Sequence, residues 1–199
     1  MKKILFISGS RADFGLLRKL IMLFQSDSNF ETHLAATGSH LSKTHGSTVD
    51  LIRNDGIKNI HEVPMDINGD SPFEVNNSMA RELTGFNSLF QSMNPNLIVV
   101  LGDRYELWPP CIAAALYNIP IAHIHGGEST EGAIDEVVRH SITKMAHIHF
   151  SSHSLYRERI IRMGESPARV HNVGAMGLDR LKEMTFLTKS ELEGKIRTK

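Results

Sequence analysis

The sequence has few of the features that would place it in a specialised class. Its single cysteine, Cys111, excludes an internal disulfide framework. No apolar run approaches the roughly 20 residues needed to cross a bilayer, and the sequence begins with a strand-length apolar run rather than a signal peptide. Lys and Arg total 22, as do Asp and Glu, so there is no surplus of positive charge for nucleic acid or an anionic membrane. We therefore expect a cytoplasmic protein with neither as a partner.

The length and the histidine content are more informative. A chain of 199 residues fits one large domain or one half of a two-domain protein. Of the eleven histidines, six lie between His123 and His153, which indicates a site. The last stretch, 187–199, is polar and charged, and we interpret it as a tail.

Short apolar runs alternate along the chain with segments of helical period. The predicted strands span 3–7, 33–37, 59–63, 97–101, 119–123, 147–151 and 170–173. The predicted helices span 11–25, 41–55, 73–92, 104–118, 130–145, 153–164 and 175–185. Several strands are apolar throughout, which is typical of a parallel sheet covered on both faces. The pattern predicts an α/β fold with a Rossmann-like, doubly wound parallel sheet, whose ligands bind at the carboxyl ends of the strands.

The loop after the first strand has the composition of an anion-binding turn. Gly9 and Gly15 permit a tight turn, Arg11 can pair with phosphate oxygens, and the following helix offers free N–H groups. Asp13 lies in the same segment and joins Gly9 and Arg11 as a candidate substrate-binding residue. The loop lacks the GxGxxG pattern, and residues 37–40 offer no acid for a ribose hydroxyl, which disfavours a dinucleotide cofactor. The alternative for Arg11 is a surface arginine at a helix start.

The fourth strand is followed by Gly102, Asp103 and Arg104. This order places a carboxylate and a guanidinium together at the carboxyl end of a strand, so we predict that Asp103 is catalytic and that Arg104 binds substrate. Both Asp103 and Glu106 could instead cap the next helix, and we favour that interpretation for Glu106.

Segment 123–141 is the densest in side chains that carry chemistry. His123 and His125 share one face of a strand, and the glycines at 126–127 leave room for a ligand. Arg139 follows one helical turn after the last acids of the segment. Neighbouring acids or an arginine shift the pKa of a carboxyl group, as acid–base catalysis requires. The alternative interpretation of these acids is a solvent-exposed first turn of a helix. The acidic residues are Glu128, Glu131, Asp135 and Glu136.

A metal site is disfavoured by the ligands available. The chain has two His-x-His pairs, at 123–125 and 147–149, but no HExxH motif and one cysteine. Zinc requires three or four convergent ligands. We therefore expect no metal, and we interpret His147, His149 and His171 as packing residues.

Taken in order, four loops resemble those of the hydrolysing UDP-N-acetylglucosamine 2-epimerases of sialic acid biosynthesis. A related activity acts on UDP-N,N′-diacetylbacillosamine in legionaminic acid synthesis. The motifs are SGSRADFGLL at 8–17, TGSHLSKTHGST at 37–48, LGDRYE at 101–106 and HIHGGESTEGAIDEVVRHSITKMAHIHF at 123–150. The resemblance runs from Lys2 to about Leu181.

The resemblance implies a glycosyltransferase-B-like fold of two Rossmann-type domains with the UDP-sugar between them. In the family, UDP leaves by elimination across C1–C2 to give a 2-acetamidoglucal, and water then adds with inversion at C2. No redox cofactor or metal is implied. A homo-oligomer, dimer or tetramer, is implied for the full-length protein.

The resemblance also assigns roles residue by residue. It implies proton transfer by Asp103, an acidic pair at 135–136, and phosphate binding by Arg11. Many family members have a glutamate where this sequence has His125, so either His125 or Glu128 takes over the second proton transfer. The remaining residues carried over as catalytic or substrate-binding are Arg139, His40, Arg104, Gly126 and Gly127.

The length then predicts an incomplete enzyme. We expect residues 1–185 to form the N-terminal catalytic domain and 186–199 to begin the linker to a C-terminal nucleotide-binding domain, so that this chain alone is inactive. UDP-N-acetylglucosamine is the predicted substrate, with UDP-N,N′-diacetylbacillosamine as the alternative. An inert sugar-nucleotide-fold binding module is the second alternative. A non-hydrolysing epimerase is disfavoured, since its first loop usually reads GTRPE.

Overall fold

A computed structural model describes residues 1–42, 47–131, 134–183 and 185–197. Its centre is a seven-stranded sheet of order β3-β2-β1-β4-β5-β6-β7, in which all neighbouring strands are parallel. The strands are β1 Lys2–Ser8, β2 Phe30–Ala36, β3 Asn59–Glu62, β4 Leu97–Leu101, β5 Ile121–Ile124, β6 Ile148–Ser151 and β7 Val170–Asn172. This confirms the predicted α/β class and all seven predicted strands.

Helices cover both faces of the sheet. They are α1 Arg11–Ser26, α2 Val49–Asn54, α3 Pro72–Met93, α4 Trp108–Leu116, α5 Asp135–Met145, α6 Ser154–Arg162, α7 Met176–Glu183 and α8 Lys189–Arg197. No helix within the described ranges is both long and apolar enough to span a membrane.

Local signals explain where the longest helices begin and end. The Ser10 hydroxyl accepts a hydrogen bond from the backbone N–H of Asp13 and so caps α1. Ser71 and Glu74 form a capping box before α3, and Pro72 occupies its first turn, where a missing N–H costs nothing. Asn94 ends α3 in the left-handed conformation, with φ 49°.

Two apolar cores lie on opposite faces of the sheet, because β1 and β4 are buried on both sides. On one face, α3 and α4 bring Phe86, Phe90 and Cys111 against the strands. On the other face, α1 and α2 contribute Leu17 and Ile52. At the usual ~25 cal/mol per Å² of buried apolar surface, these layers are the main stabilising contribution.

The strand order places a switch point between β1 and β4. The chain continues from β1 to β2 on one side and from β4 to β5 on the other, so the loops after β1 and β4 diverge. Such a crevice at the carboxyl ends of the strands is where doubly wound folds bind ligands. The loops singled out from the sequence, at 8–11 and 102–106, lie on this edge.

The structure corrects several predicted helices. Segment 41–55 is helical only over Val49–Asn54, and residues 43–46 lie outside the described residues. Segment 104–118 begins as a 3₁₀ turn, and α4 starts at Trp108 because Pro109 and Pro110 suit a first turn. The predicted helix 130–145 begins as α5 at 135, and residues 132–133 lie outside the described residues.

The polar end of the chain also differs from the predicted tail. Residues 189–197 form α8, an exposed helix. The Thr188 hydroxyl accepts from the backbone N–H of Glu191, whose carboxylate accepts from Thr188 N. This reciprocal pair is a capping box, a signal that the interpretation as a tail overlooked.

Candidate active site

The side chains of Asp103 and Arg139 meet at the carboxyl edge of the sheet. Asp103 follows β4, and Arg139 lies one turn into α5, from which Nη2 donates to Asp103 Oδ2. Thr130 joins them, since its hydroxyl lies 3.4 Å from Asp103 Oδ2 and accepts from Arg139 Nη2 at 3.1 Å. A guanidinium in direct contact stabilises the ionised form of a carboxyl group. Both residues were predicted at this edge of the sheet, but their direct contact was not predicted.

Glu128 lies on the other side of the same guanidinium. Its Oε2 is 3.9 Å from Arg139 Nη1, and its Oε1 accepts a 2.5 Å hydrogen bond from the Ser152 hydroxyl. The side chains of Asp103 and Glu128 remain 20% and 25% exposed, against 7% for Arg139. Two reachable carboxylates thus flank one buried cation.

His125 lies beside the carboxylate of Glu128. It adopts φ 62°, an uncommon left-handed conformation for a residue other than glycine. Its Nε2 accepts from the backbone N–H of Met176 at 3.3 Å, so the proton of the neutral ring sits on Nδ1, which lies 3.5 Å from Glu128 Oε1. Burial lowers the pKa of His125, and the nearby carboxylate of Glu128 partly opposes this shift.

Protein atoms, rather than a ligand, occupy the space next to the Cα atoms of Gly126 and Gly127. A Cβ on Gly126 would lie 2.9 Å from His123 Nδ1. Gly127 has φ 75°, and a Cβ there would lie 2.6 Å from the carbonyl oxygen of Tyr156. Protein atoms fill the space that was predicted for a ligand. The two glycines instead permit the sharp turn that places Glu128 near Arg139.

The first histidine of segment 123–141 is structural. His123 is fully buried, its Nε2 lies 2.8 Å from the Gly102 carbonyl, and its Nδ1 lies 3.2 Å from the Thr143 hydroxyl. Burial lowers its pKa to about 4, so the ring is neutral. It pairs in register with buried His149. Among the described residues, no group of three His, Cys, Asp or Glu side chains is placed to hold a metal ion.

The acidic pair at the start of α5 does not join Arg139. Glu136 accepts from the Ser129 hydroxyl at 3.3 Å and lies 3.3 Å from His140 Nε2. Asp135 is the first residue of α5 and is half-buried. Arg139 contacts Asp103 instead, so the predicted pairing within α5 is replaced by a contact between α5 and the loop after β4.

The first loop meets the 102–106 loop through Glu106. This side chain is fully buried, and its Oε1 accepts from Arg104 Nη2 at 2.5 Å. A Cβ on Gly9 would lie 3.3 Å from the Cβ of Glu106. Gly9 therefore lets the two loops pack together, and the prediction that Glu106 is a helix cap is wrong.

Beside this contact, Arg11 and Asp13 occupy the first turn of α1. Arg11 is exposed at the helix N-terminus, as an anion-binding arginine requires. Asp13 is buried, and desolvation raises the pKa of its carboxyl group, although the nearby charge of Arg104 opposes this. Asp13 thus faces Arg104 rather than solvent.

His40 lies at the base of a cleft of about 830 Å³ that Arg11 also lines. The ring is fully buried, with Nε2 2.9 Å from the Ser8 hydroxyl and Nδ1 2.7 Å from the Thr48 hydroxyl. Burial lowers its pKa to about 4. Its ring nitrogens are engaged by protein, so His40 shapes the cleft floor.

Glu82 is a buried acid that the sequence predictions did not include. It lies on α3 with no exposed surface, and the Thr37 hydroxyl donates to its Oε1 at 2.7 Å. Burial raises the pKa of Glu82 well above its ordinary value. Its position four residues before Phe86, on the apolar face of α3, was the available signal.

Comparisons with known proteins agree with this architecture. A sequence profile of the UDP-N-acetylglucosamine 2-epimerase family matches residues 23–199. The chain belongs to the UDP-N-acetylglucosamine 2-epimerase family. It is 40% identical to the polysialic acid biosynthesis protein P7 of Escherichia coli, covering 97% of this chain and 49% of that protein. It is 38% identical to the GDP/UDP-N,N′-diacetylbacillosamine 2-epimerase (hydrolyzing) of Campylobacter jejuni, covering 96% and 50%.

Solved structures match this chain over a similar share of its length. The Neisseria meningitidis UDP-GlcNAc 2-epimerase, solved with UDP-GlcNAc bound, matches with a TM-score of 0.77 at 17% identity, over 92% of this chain and 50% of that one. This likeness establishes the fold. The chain spans about half the length of the curated relatives it matches.

Within this UDP-N-acetylglucosamine 2-epimerase fold, sequence reasoning missed Ser152, Thr130 and the burial of Glu106. Serine and threonine have no periodic signature, and only the packing of β5 against β6 shows that Ser152 reaches Glu128.

Proposed function

We propose that this chain is the proton-transfer half of a hydrolysing UDP-N-acetylglucosamine 2-epimerase. The observation that carries the proposal is the pair of carboxylates, Asp103 and Glu128, on either side of Arg139. Elimination removes the C2 proton while the C1–O bond to UDP breaks, and water then gives its hydroxyl to C1 and a proton to C2. Two proton transfers at carbon require two tuned groups within reach of the sugar, and the site has two.

Of the two candidates for the second proton transfer, the geometry favours Glu128. Both ring nitrogens of His125 are engaged, one by Met176 N–H and the other toward Glu128 Oε1. Glu128 Oε2 faces Arg139 and remains the reachable oxygen. We therefore assign Asp103 and Glu128 to proton transfer and His125 to holding Glu128.

The phosphates of UDP are assigned to the first loop. Arg11 is exposed beside the free N–H groups at the start of α1, which together form an anion site. His40 lines the same cleft as Arg11. Arg104, Asp13 and Gly9, in the neighbouring loops, stay proposed substrate-binding residues. Asp135 and Glu136 remain proposed participants at the start of α5, and Gly126 and Gly127 form the turn that presents Glu128.

The relatives point to two candidate sugars for the substrate. Neisseria meningitidis UDP-GlcNAc 2-epimerase binds UDP-GlcNAc, whereas the Campylobacter jejuni relative is named for UDP-N,N′-diacetylbacillosamine. We therefore keep the diacetamido sugar as the second candidate substrate. No described residue needs a metal or a redox cofactor for the steps above.

The proposed domain boundary follows from which residues take part in the two apolar cores. We propose that residues 1–185 form the catalytic domain and that 186–199 begin the connection to a second, nucleotide-binding domain. Support comes from the exposure of 185–196, which contributes to neither core. The cytoplasmic location and the homo-oligomeric state of the full-length protein stay predictions, the second to be checked by light scattering.

The decisive experiment supplies each UDP-sugar to the full-length protein in D₂O. The expected products are UDP and a free sugar that carries deuterium at C2 with inverted configuration, identified by NMR. A product that remains linked to UDP, or one without deuterium at C2, would contradict the proposal. No conversion of either sugar would favour an inert binding module.

A parallel assay addresses this chain alone. We expect the 199-residue chain to release no UDP, since it spans only about half the length of the curated relatives it matches. Turnover comparable to that of the full-length protein would overturn the proposed division of labour between the two halves.

A further inference from the structure

We propose that Ser152 is a positioning residue that fixes the carboxylate of Glu128, an inference that rests on the function proposed above. Ser152 follows β6, outside every motif that carried the sequence predictions. Its hydroxyl donates to Glu128 Oε1 at 2.5 Å across 24 residues of sequence. A hydrogen bond from a neutral donor to a carboxylate favours the ionised form and selects one rotamer.

The two carboxylate oxygens of Glu128 have different partners. Oε1 receives the Ser152 hydroxyl and faces His125 Nδ1 at 3.5 Å. Oε2 lies 3.9 Å from Nη1 of Arg139, whose Nη2 contacts Asp103. The oxygen that Ser152 holds is therefore the supporting one, and Oε2 is the oxygen that exchanges a proton with substrate.

The segment around Ser152 also holds the backbone of the same turn. Arg159, on α6, donates from Nη1 to the carbonyl of Gly127 at 2.6 Å, and its guanidinium lies 5.7 Å from the ring centre of Tyr156. Both the carbonyl before Glu128 and its carboxylate are thus anchored to residues 152–159. This double anchor restrains a turn that contains two glycines and a left-handed histidine.

The first test measures the Glu128 carboxyl group directly in the 199-residue chain. ¹³C NMR at pH 7 follows its carboxyl chemical shift and its side-chain J couplings in wild type and in Ser152→Ala, Ser152→Thr and Ser154→Ala. Loss of the hydroxyl should change the chemical shift and let the side chain populate more than one rotamer, because the carboxylate loses its donor. Ser152→Thr should keep the wild-type spectrum because it retains the hydroxyl.

Ser154→Ala is the matched control, since Ser154 is exposed at the first position of α6. It should give the wild-type chemical shift and couplings for Glu128. If Ser152→Ala does not fold, Ser152→Cys, a weak donor of similar size, should change them in the same direction. An unchanged chemical shift and a single rotamer in the folded alanine or cysteine variant would overturn the proposal.

The second test uses turnover by the full-length protein. We expect Ser152→Ala to lower kcat about tenfold with little change in KM, because ground-state binding does not involve Ser152. Ser152→Thr should restore both kcat and the single rotamer of Glu128, a joint recovery that a merely structural role would not produce. An equal loss in Ser152→Thr would show that the site needs only serine's volume and would overturn the proposed role.

The two tests separate the two proposals. Absence of turnover with either UDP-sugar would count against the proposed function, while the NMR spectrum still decides whether Ser152 fixes the Glu128 side chain. Turnover that is normal in Ser152→Ala would overturn the positioning role and leave the proposed function intact.

Discussion

Arg139 donates from α5 to the carboxylate of Asp103 at the end of β4, 36 residues earlier in the chain. The guanidinium is buried, with 7% of its side chain exposed, and Glu128 lies on its other side. This buried cation has two carboxylates beside it, which offset part of the cost of removing its charge from water. It also links α5 to the loops after β4 and β5, so the acid–base groups share one rigid support.

The first prediction concerns Asp103. In the full-length protein, Asp103→Asn should lower kcat by about 10²- to 10⁴-fold, the usual contribution of a positioned acid or base. Steady-state UDP release measures the effect, and circular dichroism checks the fold. Asp50→Asn is the matched control because Asp50 pairs with Arg53 on an exposed surface. Activity of Asp103→Asn equal to that of the control would remove Asp103 from the mechanism.

Glu82 should behave as a neutral acid. Because burial raises its pKa and Thr37 donates to it, Glu82→Gln should change the free energy of unfolding at pH 7 by less than about 1 kcal/mol. Glu106→Gln should cost more, about 1–2 kcal/mol, since it removes the charge partner of Arg104, whose side chain is 43% exposed and therefore partly screened by solvent. Urea denaturation compares the two. Equal costs would show that Glu82 is ionised.

Stability should fall as the pH is lowered through the histidine range. His40 and His123 have folded-state pKa values of about 4, below the ordinary 6.5. Between these values the unfolded chain binds protons that the folded chain does not, so acid favours unfolding. Each histidine should remove about 2 kcal/mol between pH 7.5 and pH 5.

Urea denaturation at the two pH values measures this loss. His40→Gln should flatten the dependence, whereas the same change at exposed His171 should not. A stability that is independent of pH in wild type would show that the buried rings are not held neutral.

The turn that carries Glu128 should not tolerate a side chain at Gly127. Gly127→Ala adds a Cβ 2.6 Å from the Tyr156 carbonyl oxygen at φ 75°, so it should cost more than about 2 kcal/mol. Gly174→Ala is the control, because Gly174 has φ 83° but no atom within 4 Å of the added Cβ. It should cost only about 1 kcal/mol of backbone strain. Equal melting temperatures for the two variants would contradict the close approach of α6.

The alternation of apolar runs and helical periods was sufficient to predict the sheet. All seven strands were located, and the signal was clearest in the central ones because a strand covered on both faces requires a continuous apolar segment, as at 97–101. The order of the loops then placed Asp103, Glu128 and Arg139 at the carboxyl edge, since every parallel strand ends there. These features follow from local composition and from the geometry of one strand and one helix.

The tertiary structure decided which of these groups meet. Helical spacing suggested that Arg139 pairs with the acids at 135–136, but the packing of α5 brings it to Asp103. Only the adjacency of β5 and β6 shows that Ser152 reaches Glu128, and only the approach of the first loop shows that Glu106 is buried. Contacts between residues far apart in sequence depend on how elements pack, and no local pattern of a single chain records that packing.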